Sequence, residues 1–304
     1  MRIDVEGVRE LRFDDGSPVR AASALAPLGR GWLVAQDDST HGAWLVDGAV
    51  TRLRLLPPVE GLDVFSEAEG TKHLKPDLEA ACRVDPHGVP GVLLLGSGTT
   101  AARRRGVLVD GSLPDEPAVE HGDLDGLYEA VARLLEVPDG QLDLEGVARN
   151  GPVLRWFQRG TGSLPSASVD VDLPALLDAL LGLRDPAGVP LRAPRRYELG
   201  SAGGVRLQAT DAVALPGGRL LLSAAAEATP DAYADGPVAG SALALLDGDD
   251  VLAVAELPPV DGAAQKVEGL GVLEVLPDAV RLLAVVDADD PLAASLELTL
   301  RVRL

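Results

Sequence analysis

Short apolar runs, each closed by a polar turn, follow one another along nearly the whole chain. Near the start stand SALAPL, GWLVAQ, AWLVDG and VTRLRLLPP; further on come RLLLSAAAEAT, SALALLDGDD and VLAVAELPP. Runs of this length bounded by Gly, Pro, Asp and Asn predict β-strands. One phrase opens a group of strands five times: RAASALAP, KPDLEAACR, QLDLEGVAR, QATDAVAL and QKVEGLGVL. Aligned, a single column holds Ser23, Glu79, Glu145, Asp211 and Glu268, at spacings of 56, 66, 66 and 57 residues. Long repeats with strands inside them predict a radial β architecture.

The strand groups define an all-β fold: a single five-bladed β-propeller over residues 1–304, with blades at about 20–60, 75–122, 141–200, 206–260 and 265–304. The fifth group is one strand short, and RIDVEGVRELRF (within 2–13) is one strand in excess. Pairing it with LELTLRVRL closes the ring and leaves no open edge between the first and last blades. In LPPVEG (56–61) and LPPVDG (257–262), paired prolines end an outermost strand, because proline cannot donate to a ladder. Two segments carry helical spacing instead, 123–137 and 172–183, and are expected as short helices inserted between strands. A pair of β-sandwiches would give similar strands but no reason for the recurring column.

Composition narrows the partners. The formal charge is −20, which argues against duplex DNA and anionic membranes, both of which need a cationic face. Aromatic residues make up only 3% of the chain, so Leu, Val and Ala must build the core. Cys82 is the single cysteine, which rules out an intrachain disulfide. The N-terminus has no basic region followed by an apolar run, and no apolar stretch reaches membrane-spanning length. A cytoplasmic monomer is the expectation.

In a propeller the starts of the innermost strands and the turns after the second strands meet on one face. Four carboxylates and a hydroxyl gathered there invite either protons or a cation. Oxygen-only donors, without His or Cys, favour a hard ion, and Ca²⁺ tolerates several carboxylates in irregular geometry. The other open reading has these side chains sealing the channel through backbone and water. The only lysines, Lys72, Lys75 and Lys266, all lie just upstream of a column acid. With Arg103, Arg104, Arg105 and Arg159 they would form a positive rim for a small anion such as a phosphate or carboxylate, or they are solvated loop residues. His41, His73, His87 and His121 lack metal-ligand spacing; His73, beside the lysines, and Asp37 are the candidate acid–base residues. Asp37, Asp38, Asp287, Asp289 and Asp290 in the turns could take a second cation.

The phrases LDLEGVA (142–148) and KVEGLGVL (266–273) resemble the inner-strand motif of phytase-like and esterase-like propellers. Five blades with an acid–serine ring also look like the calcium-dependent apyrases, a resemblance that implies an axial Ca²⁺ held by Ser23, Glu79, Glu145, Asp211 and Glu268. Asp211 departs from the glutamate of that pattern, and the apyrase nucleotide-binding residues have no match. The whole chain further resembles an uncharacterised bacterial propeller family marked by K-x-DLE followed by LLLGSG-x-T (Lys75–Glu79 and Leu93–Thr100). Two functions follow as expectations. One is a Ca²⁺-dependent hydrolase of phosphate esters or anhydrides, with Lys72, Lys75, Lys266 and Arg159 positioning the anion. The other is a non-catalytic propeller binding a ligand or protein partner across the same face.

Overall fold

The computed structural model describes residues 1–112, 117–162, 164–228, 236–287 and 293–304, and of residue 87 the backbone alone. The first strand, β1 (Arg2–Glu10), waits for the last blade. Blade one is β2 (Ala22–Leu28), β3 (Gly31–Gln36), β4 (His41–Val46) and β5 (Ala49–Arg54). Blade two is β6 (Leu78–Val84), β7 (Gly91–Gly96), β8 (Arg105–Asp110) and β9 (Ala118–Asp123). Blade three is β10 (Leu144–Asn150), β11 (Val153–Gln158), β12 (Ser166–Asp172) and β13 (Leu191–Tyr197), followed by a small hairpin of β14 (Ser201–Ala202) and β15 (Val205–Arg206). Blade four is β16 (Gln208–Ala214), β17 (Leu220–Glu227), β18 (Val238–Asp247) and β19 (Asp250–Glu256). Blade five is β20 (Lys266–Val275), β21 (Ala279–Asp287) and β22 (Leu296–Arg303), with β1 as its outer strand.

The fold is therefore a five-bladed β-propeller with two helices, closed by its N-terminal strand. β1 runs antiparallel to β22 from Arg2 opposite Arg303 to Glu10 opposite Leu296. The innermost strands β2, β6, β10, β16 and β20 touch in a ring, each against the next and the last against the first. Apolar side chains fill the spaces between blades. Leu221, Leu243, Leu282 and Leu298 lie between blades four and five, and Leu33, Val92, Leu94 and Val107 between one and two. The Pro-Pro phrases do end the outer strands β5 and β19, and each leads into a tight reversal, Val59 opposite Leu62 and Val260 opposite Ala263. Glu60–Gly61 and Asp261–Gly262 hold positive φ there, as such two-residue turns require.

Both inserted segments are helical, α1 (Asp125–Leu135) and α2 (Leu173–Leu180). The Asp172 side chain caps α2 by accepting from the Ala175 N–H at 3.0 Å, and Pro174 sits in its first turn. Leu127, Tyr128 and Val131 of α1 and Leu176 and Leu180 of α2 join the core between blades two and three. Tyr128 meets Trp156 edge-on, ring centres 4.9 Å apart, and donates its hydroxyl to the Gly96 carbonyl at 2.7 Å. The helices are thus core-packing insertions in blades two and three.

Candidate functional site

Every innermost strand begins with a β-bulge at the same point. The ladder skips between Ala22 and Ala24, Leu78 and Ala80, Leu144 and Val147, Ala209 and Asp211, and Val267 and Gly269. A bulge leaves one residue out of the pairing and re-aims its side chain. The residues so released are Ser23, Glu79, Glu145, Thr210 and Glu268. Blade four thus differs from the sequence alignment by one position: Thr210 stands in the column and Asp211 follows it. Ser23 and Thr210 behave alike, each donating its hydroxyl at 2.6 Å to the carbonyl just before the next blade's column residue, Leu78 and Val267 respectively. Asp211 is buried elsewhere between the inner strands. Its Oδ2 accepts from the Leu270 N–H at 2.7 Å, and burial pushes its carboxyl well above the usual range.

The second strands deliver their turns to the same place. The N–H groups of Asp37, Ser97 and Arg159 donate to the carbonyls of Ala21, Asp77 and Asp143, two residues before the column in blades one, two and three. This recurring bond fixes the turn side chains over the axis. Between them lies a cavity of about 280 Å³. Its walls carry Ser23, Glu79, Glu145 and Glu268 of the column, with Asp77, Asp143 and Asp37. Lys72, Lys75, Arg103, Arg159 and Lys266 also line it, and Phe65 supplies an apolar wall from the β5–β6 connection. His73, Arg104 and Asp211 do not line it. His73 is exposed in a single 3₁₀ turn, and Arg104 turns away to pair with Asp125 at 2.7 Å.

The cations are all engaged. Lys75 bridges Asp37 and Asp77, at 2.6 Å from Asp77 Oδ1. Arg103, buried, holds Asp77 Oδ2 at 2.9 Å. Arg159 pairs with Glu145 at 2.9 Å and with Glu227, and Lys266 with Glu268 at 2.9 Å and Glu227 at 3.4 Å. Lys72 faces Glu67 at 3.9 Å, and Arg20 pairs with Asp38 at 3.0 Å. Of the cations expected to form a positive rim, Lys72, Lys75, Lys266, Arg103 and Arg159 line the cavity, each facing a carboxylate, whereas Arg104 and Arg105 do not line it. Arg105 lies outside the cavity lining, with its Nε on the Ala102 carbonyl at 2.6 Å.

Among the described residues the acids outnumber these partners, nine against six around the cavity. Glu79 has no hydrogen bond or ion pair among the described residues, and Glu145 Oε2 is buried without a partner. Burial, with Asp77 and Asp37 nearby, drives the Glu79 carboxyl well above the usual range. Burial does the same to Glu145 against the pull of Arg159, and raises Asp143 to about 7. Asp77 goes the other way: burial opposes its charge, but Lys75 and Arg103 hold it below its ordinary value. Its backbone sits at φ 58, a left-handed conformation that side chains adopt at a cost. Carboxylate oxygens of Asp37, Asp77 and Glu79 all lie within 4.8 Å of one another, so the mouth holds an acidic cluster able to take a metal ion. Neighbouring acids pushed to opposite protonation states are the raw material of acid–base chemistry.

Sequence reasoning missed Asp77, Asp143 and Glu227. The first two stand two residues before column glutamates in the repeated D-L-E phrase, so a signal existed; Glu227, at the end of β17, gave none. Asp289 and Asp290 lie outside the described residues, whereas Asp37, Asp38 and Asp287 reach the cavity.

Comparison with known proteins places the chain in a family of unknown function, DUF6910, whose model matches residues 71–291. No curated protein matches. Among solved structures, the α-L-arabinofuranosidase from Podospora anserina, crystallised with cellotriose, superposes with a TM-score of 0.51 at 10% identity, covering 97% of this chain and 95% of that one. A hypothetical protein from Leishmania major gives 0.48 at 13% identity, covering 99% and 91%. A gluconolactonase from Xanthomonas campestris gives 0.42 at 12% identity, covering 93% and 88%. The likeness to the arabinofuranosidase bears on the fold alone; the resemblance to phytase-, esterase- and apyrase-type propellers rests on short motifs alone. No helix among the described residues is long and apolar enough to cross a membrane.

Proposed function

We propose that the axial mouth is the working site of a cation-dependent hydrolase acting on a small polar molecule, with Ca²⁺ the ion its donors suit. The observation that carries this is the surplus of carboxylate oxygen: half-buried Glu79 makes no hydrogen bond or ion pair among the described residues, and Glu145 Oε2 is buried without one, in a cavity whose described lining holds more acids than bases. An all-oxygen donor set of this kind fits a hard cation. Glu79 and Glu145 would hold it, with Asp37 and Asp77 joining if the Lys75 ammonium swings aside. A bound divalent ion supplies Lewis-acid polarisation of the substrate and acidifies bound water. The chain's own residues divide the remaining work. Asp77, kept ionised by Lys75 and Arg103, fixes the local field. Asp143, at about 7, can take or return a proton near neutral pH. Phe65 covers one wall against water. A phosphate ester or anhydride would be met chiefly by the ion, since the lysines and arginines already face carboxylates. A cytoplasmic monomer belongs to the same reading, and cell fractionation and light scattering check it.

A second reading is favoured by one observation: His73, a candidate acid–base residue, stands outside the mouth. In that reading the propeller binds its ligand without turnover. Calorimetric titration of chelator-stripped protein with Ca²⁺ and Mg²⁺ separates the outcomes, followed by turnover assays on phosphomonoesters and nucleoside diphosphates. Ca²⁺ binding with turnover supports the hydrolase. Binding without turnover supports the second reading. Absence of Ca²⁺ binding removes the cation site altogether.

A further inference from the structure

Glu227 touches the mouth's chemistry without lining the mouth. It is the last residue of β17 in blade four, 3% exposed and absent from the cavity wall. Its Oε2 receives both the Arg159 guanidinium and, at 3.4 Å, the Lys266 ammonium. Its Oε1 accepts the Gly236 N–H at 2.7 Å, which fixes the carboxylate in place. Arg159 and Lys266 are also the partners of Glu145 and Glu268, so among the described residues these two cations are shared among three buried acids. Burial opposes the charge on Glu227, but Lys266 and Arg159 hold it below its ordinary range, so it stays ionised and draws on both cations. Glu145 is left with one oxygen unpartnered.

We infer that Glu227 is a positioning residue that keeps the mouth receptive to cations, by taking up the positive charge that would otherwise neutralise Glu145 and Glu268. The inference rests on the cation-site reading above and extends it to a residue outside the cavity. It carries a prediction of opposite sign for two ligands. Without the Glu227 charge, Arg159 and Lys266 turn wholly to the mouth, repel a cation and attract an anion.

The test is Glu227→Gln, which keeps the shape and the acceptor for Gly236 but removes the charge. Intact wild-type and E227Q proteins are titrated by calorimetry with CaCl₂ alone and with inorganic phosphate alone, and their melting in chelator is recorded to verify folding. The expected result is Ca²⁺ affinity reduced about tenfold or more, the scale of one lost charge contact, together with stronger phosphate binding. Weakening of both ligands together, or no change in Ca²⁺ affinity, overturns the inference, because a merely structural role moves both the same way. If E227Q does not fold, Glu227→Asp, which keeps the charge but withdraws it from Arg159 and Lys266, is titrated the same way, with changes of the same sign and smaller size expected. A loss of Ca²⁺ affinity paired with a gain for phosphate supports the inference; parallel changes, or none, overturn it. A wild-type protein that binds no Ca²⁺ ends the cation-site reading and this inference with it, whereas wild-type binding with an indifferent E227Q ends this inference alone.

Discussion

Lys75 decides how much of the acidic cluster is open to an ion. Its ammonium lies between Asp37 and Asp77; burial would discharge it, and those two carboxylates overcome that effect and raise it well above its ordinary range. Replacing it by methionine keeps the stem and deletes the charge, leaving Asp37 and Asp77 facing Glu79 with only Arg103 to compensate. Breaking a buried pair from one side typically costs about 3–5 kcal/mol. Lys75→Met should therefore melt several degrees lower than wild type in chelator, and millimolar Ca²⁺ should restore more of its melting temperature than it adds to wild type. A variant that melts lower and ignores Ca²⁺ would show that the cluster cannot use an ion even when vacated. At this scale the sequence was informative about residue types but not about pairing. The scarcity of lysine pointed to Lys72, Lys75 and Lys266, yet that Lys75 and Lys266 each pair with an acid two residues on and with another in a neighbouring blade depends on how blades meet. Asp77 and Asp143 were legible in the repeated D-L-E phrase; Glu227 was not, because its partners come from blades three and five.

Among the elements, the innermost strands show why glycine follows glutamate in two of the repeat phrases. A Cβ on Gly146 would stand 2.5 Å from Asp211 Cα, and one on Gly269 would stand 2.9 Å from the Ala24 carbonyl carbon and Leu25 nitrogen. The neighbouring blade's backbone passes where a side chain would be, so the E-G pair records the spacing of the inner ring and not a binding motif. Gly269→Ala should cost about 1–3 kcal/mol, the usual range for overpacking, and towards the upper end since backbone has little room to yield. Denaturant unfolding would show this as a lower midpoint with an unchanged slope; an unaffected midpoint would mean the ring is looser than drawn. The same geometry explains the one-residue difference in blade four. QATDAVAL offers Thr210 and Asp211 side by side with no glycine to mark the bulge, and an alignment by chemistry prefers the acid. The ladder prefers the threonine, whose hydroxyl repeats the bond made by Ser23. Strand count, closure and both helices were readable because each follows from local periodicity; register at a bulge follows from the neighbouring blade.

For the whole molecule, the surplus of acid at the axis makes stability and cation binding a single pH-dependent property. Asp143 is raised to about 7 by burial, Asp38 to about 6 by burial and by Asp37, and burial raises Glu79, Glu145 and Asp211 well above the usual range. Carboxyls that hold their protons more tightly when folded contribute fully below their unfolded pKa near 4, and that contribution is lost as pH rises through the folded values. Asp77 and Glu227, lowered by their cations, act in the opposite sense and lose their contribution as the pH falls. The chelated protein should therefore be most stable in mildly acidic solution, with the melting temperature falling from about pH 5 towards pH 8 as the mouth fills with uncompensated charge. Added Ca²⁺ selects the ionised mouth, so it should do little at pH 5 and raise the melting temperature most at pH 8, flattening the decline. Melting curves across that range, in chelator and in Ca²⁺, measure both effects. A chelated protein that gains stability steadily from pH 5 to 8 would mean the axial acids are already satisfied, and the carboxylate surplus would then have no need of a cation.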